Sequence, residues 1–325
     1  MAQAVQRQQC PERLMALAAE LGIVRVAVVA ANSAVALESA RLAAEAGLVD
    51  PVLVGDPAVI RRTADEIGWD LTGHQIVAAG DEAEAARLAV RLARTGAVAA
   101  LMKGHLHTDV LMHAVLDRDK GLRTGRRLTH AFHMTVPGGG CDLIITDAAI
   151  NVAPSVEAKL DIIRNAVDVA HRLGREEPSV AVLSCTEEVS ERIPSTMEAA
   201  EVVRRCERGA VPGARVFGPV ALDLAISVEA ARIKGHRHPC AGTADILLVP
   251  SIETGNALFK MMVHYLDAIA AGVVLGASVP IVLTSRADPP AARVAAAAIA
   301  NIMAQPPPSG RPHTPTRQGR ETNLA

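Results

Sequence analysis

Ser285-Arg286-Ala287-Asp288 closes the apolar run PIVLT (280–284) and is followed by two prolines. A hydroxyl, a guanidinium and a carboxylate packed into four residues suit an anion and a proton. Arg286 can grip a phosphate or carboxylate through two parallel hydrogen bonds and stays charged at any working pH. The helix predicted over 291–304 offers free N–H groups and the positive end of its dipole to the same anion. Ser285 can donate to an oxyanion, and Asp288 can carry a proton. Asp288 ahead of Pro289 equally fits a helix N-cap with proline at the first helical position, and the two roles are compatible.

Three more polar clusters stand at predicted strand ends, where open α/β sheets meet their ligands. They are Lys103-Gly104-His105 to Thr108, Asp147 to Asn151, and Glu253-Thr254-Gly255-Asn256. Each has a structural reading beside the chemical one. Asp147 and Asn151 suit a strand-to-helix turn, Thr108 and Asn256 suit helix N-caps, and Lys234 before Gly235 suits a helix carboxyl end. His105-x-His107 and His236-x-His238-x-Cys240 have the look of ligands, but no acidic or Cys/His partners stand at zinc spacing, so no metal is expected. Gly138 to Gly140 lack both the dinucleotide-loop order and a P-loop lysine and read as a hairpin turn. There is no G-x-S-x-G elbow.

The elements that must position these groups follow from hydrophobic periodicity. The runs 25–31, 51–56, 75–80 and 97–104 read as strands, separated by Ala-, Glu- and Arg-rich helical segments that end near glycine. Near-continuous apolar strands between helices predict a parallel sheet covered on both faces. The middle differs: 128–147 reads as a hairpin. A helix over 157–173, a strand at 178–185, more helices, a strand at 244–250 and a long helix from Asn256 come next. The first pattern returns with PIVLTS and the Ala-rich helix. The order predicts an α/β domain over 11–127 and 274–304, interrupted by a second α/β domain over 128–273. The proline-rich stretch 305–325 reads as a disordered tail.

Composition excludes several functions. With 325 residues, half of them apolar, the chain can bury a large core, yet aromatics are only 2%. One Trp, one Tyr and three Phe supply no stacking platform for single-stranded nucleic acid. A net charge of −2 creates no field for polyanions, so no nucleic-acid partner is expected. Five dispersed cysteines read as reduced and intracellular. No secretory h-region and no uninterrupted apolar span appear, so the expectation is a cytoplasmic protein with no membrane partner.

Several long motifs, in one order, are more specific than any of these. "LMKGHLHTDVLMHAVLDRDKGLRTG" (101–125), "ITDAAINVAP" (145–154), "GPVALDLAISVEAARIKG" (218–235), "ADILLVPSIETGNALFK" (244–260) and "GASVPIVLTSRADPPAARV" (276–294) resemble the phosphate acetyl/butyryltransferase family. The resemblance runs from about residue 97 to 304 and implies a reversible exchange, acyl-CoA plus phosphate giving acyl phosphate plus CoA. It implies two α/β domains around a cleft, similar to isocitrate and isopropylmalate dehydrogenases. It also implies a homodimer, and a reaction without metal or redox cofactor in which CoA or acyl-CoA is substrate. Ser285 and Arg286 match the family's Ser-Arg pair, and Asp288 matches the butyryl type. Lys103, Thr108, His113, Arg123, Asp147 and Asn256 are the substrate-binding candidates.

Four positions depart from the family pattern. Counting from Ser285 places Ala292 where acetyl-specific relatives carry a proposed base. His113 stands where a basic residue, commonly Arg, is frequent; Ser251 replaces a usual Asp, and Leu224 a common Asn. Acetyl-CoA is the first expectation for the substrate and butyryl-CoA the second. The rival readings are a non-catalytic acyl-CoA-binding relative and a metal- and NAD-dependent decarboxylating dehydrogenase of the same fold.

Overall fold

The computed structural model describes residues 10–138, 142–284 and 288–306. Eleven strands form one continuous mixed sheet in the order β3-β2-β1-β4-β11-β10-β5-β6-β9-β7-β8. In chain order the strands are β1 (Val24–Val29), β2 (Val49–Gly55), β3 (Ile76–Ala78), β4 (Ala100–Lys103), β5 (Thr129–Thr135) and β6 (Asp142–Thr146). They continue as β7 (Ser179–Leu183), β8 (Arg215–Val220), β9 (Ile246–Leu248), β10 (Ile269–Leu275) and β11 (Ile281–Val282). The helices are α1 (Glu12–Leu21), α2 (Ala34–Glu45), α3 (Pro57–Glu66), α4 (Glu82–Arg94), α5 (Thr108–Leu116) and α6 (Val156–Arg172). After them come α7 (Pro194–Glu207), α8 (Leu222–Ile226), α9 (Val228–Ile233), α10 (Ile252–Tyr265) and α11 (Pro290–Ala304).

Strand directions divide the sheet. β3, β2, β1, β4 and β11 run parallel, while β10 is antiparallel to both β11 and β5, and β5 to β6. β6, β9, β7 and β8 are parallel to one another, and so run opposite to the first block. The strands of the first block are covered twice, as their apolar runs require. On β1, Val26 and Val28 enter the core shared with α1, α2 and α11. The alternating Ala27 and Val29 enter the core of α4 and α5.

Several local expectations are corrected. β8 and β10 are strands that the hydrophobic pattern does not announce. α10 begins at Ile252, so Asn256 lies in its second turn and is not its cap. His107, not Thr108, occupies the N-cap of α5. α11 has Pro289 at its N-cap and Pro290 at its first position, so Asp288 precedes the cap. The hairpin reading of 128–147 holds, with β5 and β6 paired from Ala131–Thr146 to Thr135–Asp142. The His236-x-His238-x-Cys240 stretch is a packed turn: His238 stacks on Phe217 at 4.7 Å and accepts the Cys240 N–H.

Candidate active site

β1 feeds β2 on one side and its other neighbour is β4, so the sheet order reverses between β1 and β4. A crevice opens at the carboxyl ends of strands at such a switch point, where helix amino termini converge. Here α2 starts behind Ser33, whose hydroxyl accepts the Ala36 N–H at 3.3 Å. α5 starts behind His107, whose N–H is held by Glu82 at 3.1 Å. The chain leaving β4 folds tightly over β1: Gly104 N–H donates to Val29 O at 2.9 Å and His105 N–H to Ala30 O at 2.8 Å. A Cβ at Gly104 would stand 2.5 Å from Val29 O, so only glycine fits this approach.

β11 lies against the other side of β4 in parallel register, Ile281 opposite Leu101 and Val282 opposite Met102. Leu283 and Thr284 therefore leave the sheet beside half-buried Lys103 and Gly104, and Asp288, also half-buried, leads into α11. Ser285 and Arg286 themselves lie outside the described residues. Thr284, which precedes them, leaves β11 at the carboxyl end of β4, beside the Lys103 cluster, and Asp288 follows them at the start of α11.

The other two clusters meet elsewhere. β6 and β9 run opposite to β4 and β11, and pair with Thr146 opposite Leu248. The Asp147 loop therefore meets the first turns of α10, where a Cβ at Gly255 would stand 2.8 Å from Ala148 Cβ. Asp147 is buried and saturated. One oxygen accepts the Ala149 and Ile150 N–H groups at 2.9 Å each, and the other accepts His130 N–H at 3.0 Å and Asn151 Nδ2 at 2.6 Å. A carboxylate has about four acceptor sites, and all are used here. Its turn-holding role is thus observed, and no lone pair is left for a substrate. Asn256 is half-buried, and its side chain has no hydrogen-bond partner among the described residues.

α5 carries the remaining candidates to two different places. Asp109 and His113 line a cavity of about 770 Å³ between α4 and α5, with Arg87, Arg91, Arg94 and Lys120 at its edges. Leu116 and Arg123 line another, of about 460 Å³, together with Arg126, Arg127 and Asn151. In that second cavity Arg126 is paired with Asp168 at 2.5 Å, and Arg127 with Asp161 at 3.7 Å. Exposed Arg123 has no ion-pair partner among the described residues, which leaves its guanidinium open to an anion. The Arg126-Arg127 pair was missed as site-lining, although two adjacent arginines after Arg123 were a visible signal.

Three of the departures from the family pattern have a described place in the structure. Ala292, 3% exposed, packs into the core beneath α11, so no side chain there faces the crevice. Leu224 is equally buried, in the core behind β7 and β9. Ser251 takes the N-cap position of α10 without a side-chain capping bond.

Comparison with known proteins agrees with the fold and the motifs. The family model described as "Phosphate acetyl/butaryl transferase" matches residues 81–301. A phosphate acetyltransferase of Rhizobium meliloti is 51% identical over 262 residues, 81% of this chain and 83% of that protein. A phosphate butyryltransferase of Clostridium acetobutylicum is 39% identical over 280 residues, 86% of this chain and 93% of that protein. Among solved structures, a branched-chain phosphotransacylase from Enterococcus faecalis superimposes with a TM-score of 0.76 at 31% identity, covering 86% of this chain and 99% of that one. The chain belongs to the phosphate acetyl/butyryl transferase family.

Proposed function

We propose that the protein is a phosphate acyltransferase that exchanges a short acyl group between CoA and phosphate, acetyl first and butyryl second. The observation that carries this reading is the parallel pairing of β11 with β4. It sets the flanks of Ser285-Arg286-Ala287-Asp288 beside Lys103 and the start of α5. The family and the relatives named above support the same chemistry.

In this mechanism Arg286 holds the phosphate without taking its nucleophilic lone pair, helped by the positive end of the α11 dipole. One phosphate oxygen attacks the thioester carbonyl, and Ser285 and Arg286 donate to the oxyanion that forms. The attacking hydrogen phosphate gives its proton to Asp288; the carbon–sulfur bond then breaks, and the CoA sulfur leaves as thiolate and takes that proton. In reverse, Asp288 accepts the thiol proton, because the thiolate is the reactive form. Holding both substrates in one crevice supplies much of the acceleration. Lys103, Thr108 and Asn256 serve as polar contacts for the substrates, Arg123 binds an anionic group, and His113 binds one from the α4–α5 cavity. Asp147 acts indirectly, by holding the loop that carries Asn151.

The reading includes two units around a cleft, similar in layout to isocitrate and isopropylmalate dehydrogenases, with 128–273 inserted between 11–127 and 274–304. The reversal of strand direction across β10 and β5 supports that division. It includes no metal or redox cofactor and a cytoplasmic location; no helix among the described residues is long and apolar enough to cross a membrane. It includes a homodimer as well, as the family resemblance implies; Val228, Ile233, Met261 and Tyr265 are among the exposed apolar side chains that a partner could cover.

The test is release of CoA thiol from acetyl-CoA and butyryl-CoA, each with and without phosphate. Phosphate-dependent release is expected, and the ratio of the two rates names the acyl group. No release from either by folded protein that still binds CoA would remove the reading and favour a non-catalytic relative.

A further inference from the structure

Arg293 is a buried cation and the one charged residue of α11. α11 reads PAARVAAAAIANIMA, and Arg293 lies one turn after its amino end with a relative exposure of 5%. A positive charge at that end opposes the helix dipole, and burial strips it of water. Packing alone would be served as well by an apolar side chain, since replacing a buried ion pair by apolar groups of similar volume is frequently neutral or stabilising. The guanidinium instead spans to α2 at two points. Nη1 donates to Val35 O at 3.3 Å and Nη2 to Glu38 Oε2 at 3.1 Å, while Nε has no partner among the described residues.

Both ends of this link adjoin the crevice. Val35 lies in the first turn of α2, which follows β1 at the switch point. The Arg293 N–H donates to Pro289 O at 3.2 Å, one residue after Asp288. A fork with two fixed partners sets the rotation of α11 about its axis as well as its distance from α2; a single ammonium would set only the distance.

We infer that Arg293, through Val35 and Glu38, is a positioning residue of the acyl-transfer site, fixing the start of α11, and with it Asp288, in one orientation against α2 and the β4 crevice. The inference rests on the proposed acyltransferase function. It assigns Arg293 no contact with substrate.

Two variants test it in the phosphate-dependent thiol-release assay, with the wild type run alongside. Arg293→Met fills the volume without the fork and is expected to keep Tm within a few degrees while kcat falls about tenfold and KM for phosphate rises. Arg293→Lys keeps the charge and one partner, and is expected to recover part of kcat. An Arg293→Met protein with wild-type kcat and KM would overturn the inference. So would variants that lose activity only in step with a falling Tm, with Lys no better than Met. If Arg293→Met does not fold, Arg293→Lys decides alone: folded enzyme with unchanged kcat and KM contradicts the positioning role. A wild-type protein that is itself inactive would refute the proposed function, and is distinguishable from all of these results.

Discussion

Acidification should unfold this protein through two histidines that face inward on β5. His130 is 1% exposed and its Nδ1 has no partner; His133 is 4% exposed, also with an unpartnered Nδ1. Burial holds both pKa values down to about 4 from the ordinary 6.5, against the pull of nearby carboxylates. For His130 that carboxylate is Asp147, already saturated by four donors; for His133 it is Asp142 at 3.8 Å, offset by Arg175 and Arg13. Each folded pKa lies below the unfolded one, so both states are neutral above pH 6.5 and nothing is lost there. As pH falls from 6.5 towards 4 the unfolded chain binds protons that the folded chain refuses, and stability drops. A shift from 6.5 to about 4 costs about 2 kcal/mol per histidine at pH 5, and about 3 kcal/mol once pH reaches 4. The pair should therefore remove about 4 kcal/mol between pH 7.5 and 5, a large part of an ordinary domain's stability. Urea unfolding of the wild type and of His130→Gln/His133→Gln at both pH values measures this directly. The double variant should show a much smaller difference between the two pH values than the wild type. Equal losses in the two proteins would refute the reasoning.

Other consequences are as specific. Arg123→Ala should raise KM for phosphate or acyl-CoA about tenfold with Tm unchanged, because the exposed guanidinium has no partner to lose among the described residues; steady-state kinetics with thermal melting checks both parts. Ala292→Asp, which restores the carboxylate of acetyl-specific relatives, should lower stability by about 3 kcal/mol or more, since the position is buried in an apolar core. It should bring no gain in kcat, and a more active, equally stable variant would contradict the buried placement. Asp147→Asn, which loses the charge at the centre of four donors, should cost about 2–3 kcal/mol in denaturant unfolding.

The first block of the sheet was legible because its strands are near-continuous apolar runs bounded by glycine, and the hairpin because Pro-Gly-Gly-Gly interrupts two such runs. β10 escaped for a physical reason. Its sequence IAAGVVL is small and apolar, and α10 ends before it without a proline or a glycine. The turn between them rests on Asp267 at φ 49°, a conformation that no Gly announces. β8 escaped because Gly218-Pro219 falls inside RVFGPV, and proline is tolerated there only because β8 is the edge strand of its side of the sheet. Thr254-Gly255-Asn256 looked like a helix start. Gly255 is instead a close-packing residue inside α10, its missing Cβ required by Ala148 across the loop.

The candidate residues stand out in the sequence by type, but their grouping does not. Four clusters at strand ends were equivalent in the sequence, and only the strand directions divide them, Lys103 with the end of β11 at Thr284 and Asp147 with Asn256. Direction depends on the antiparallel entry of β10, the strand that the sequence concealed. His113 and Arg123 likewise look like one basic set, ten residues apart. α5 turns His113 towards α4 and leads Arg123 to the far side, into separate cavities.

The most direct test of the account is the turnover of Arg286→Ala with saturating acyl-CoA and varied phosphate. If the corner beside β4 holds phosphate and the developing oxyanion, kcat should fall at least about a hundredfold, the scale of losing one oxyanion donor, and KM for phosphate should rise. Near-normal turnover from the folded variant would contradict the account, and the Ser-Arg-Ala-Asp segment would then be no more than a lead-in to α11.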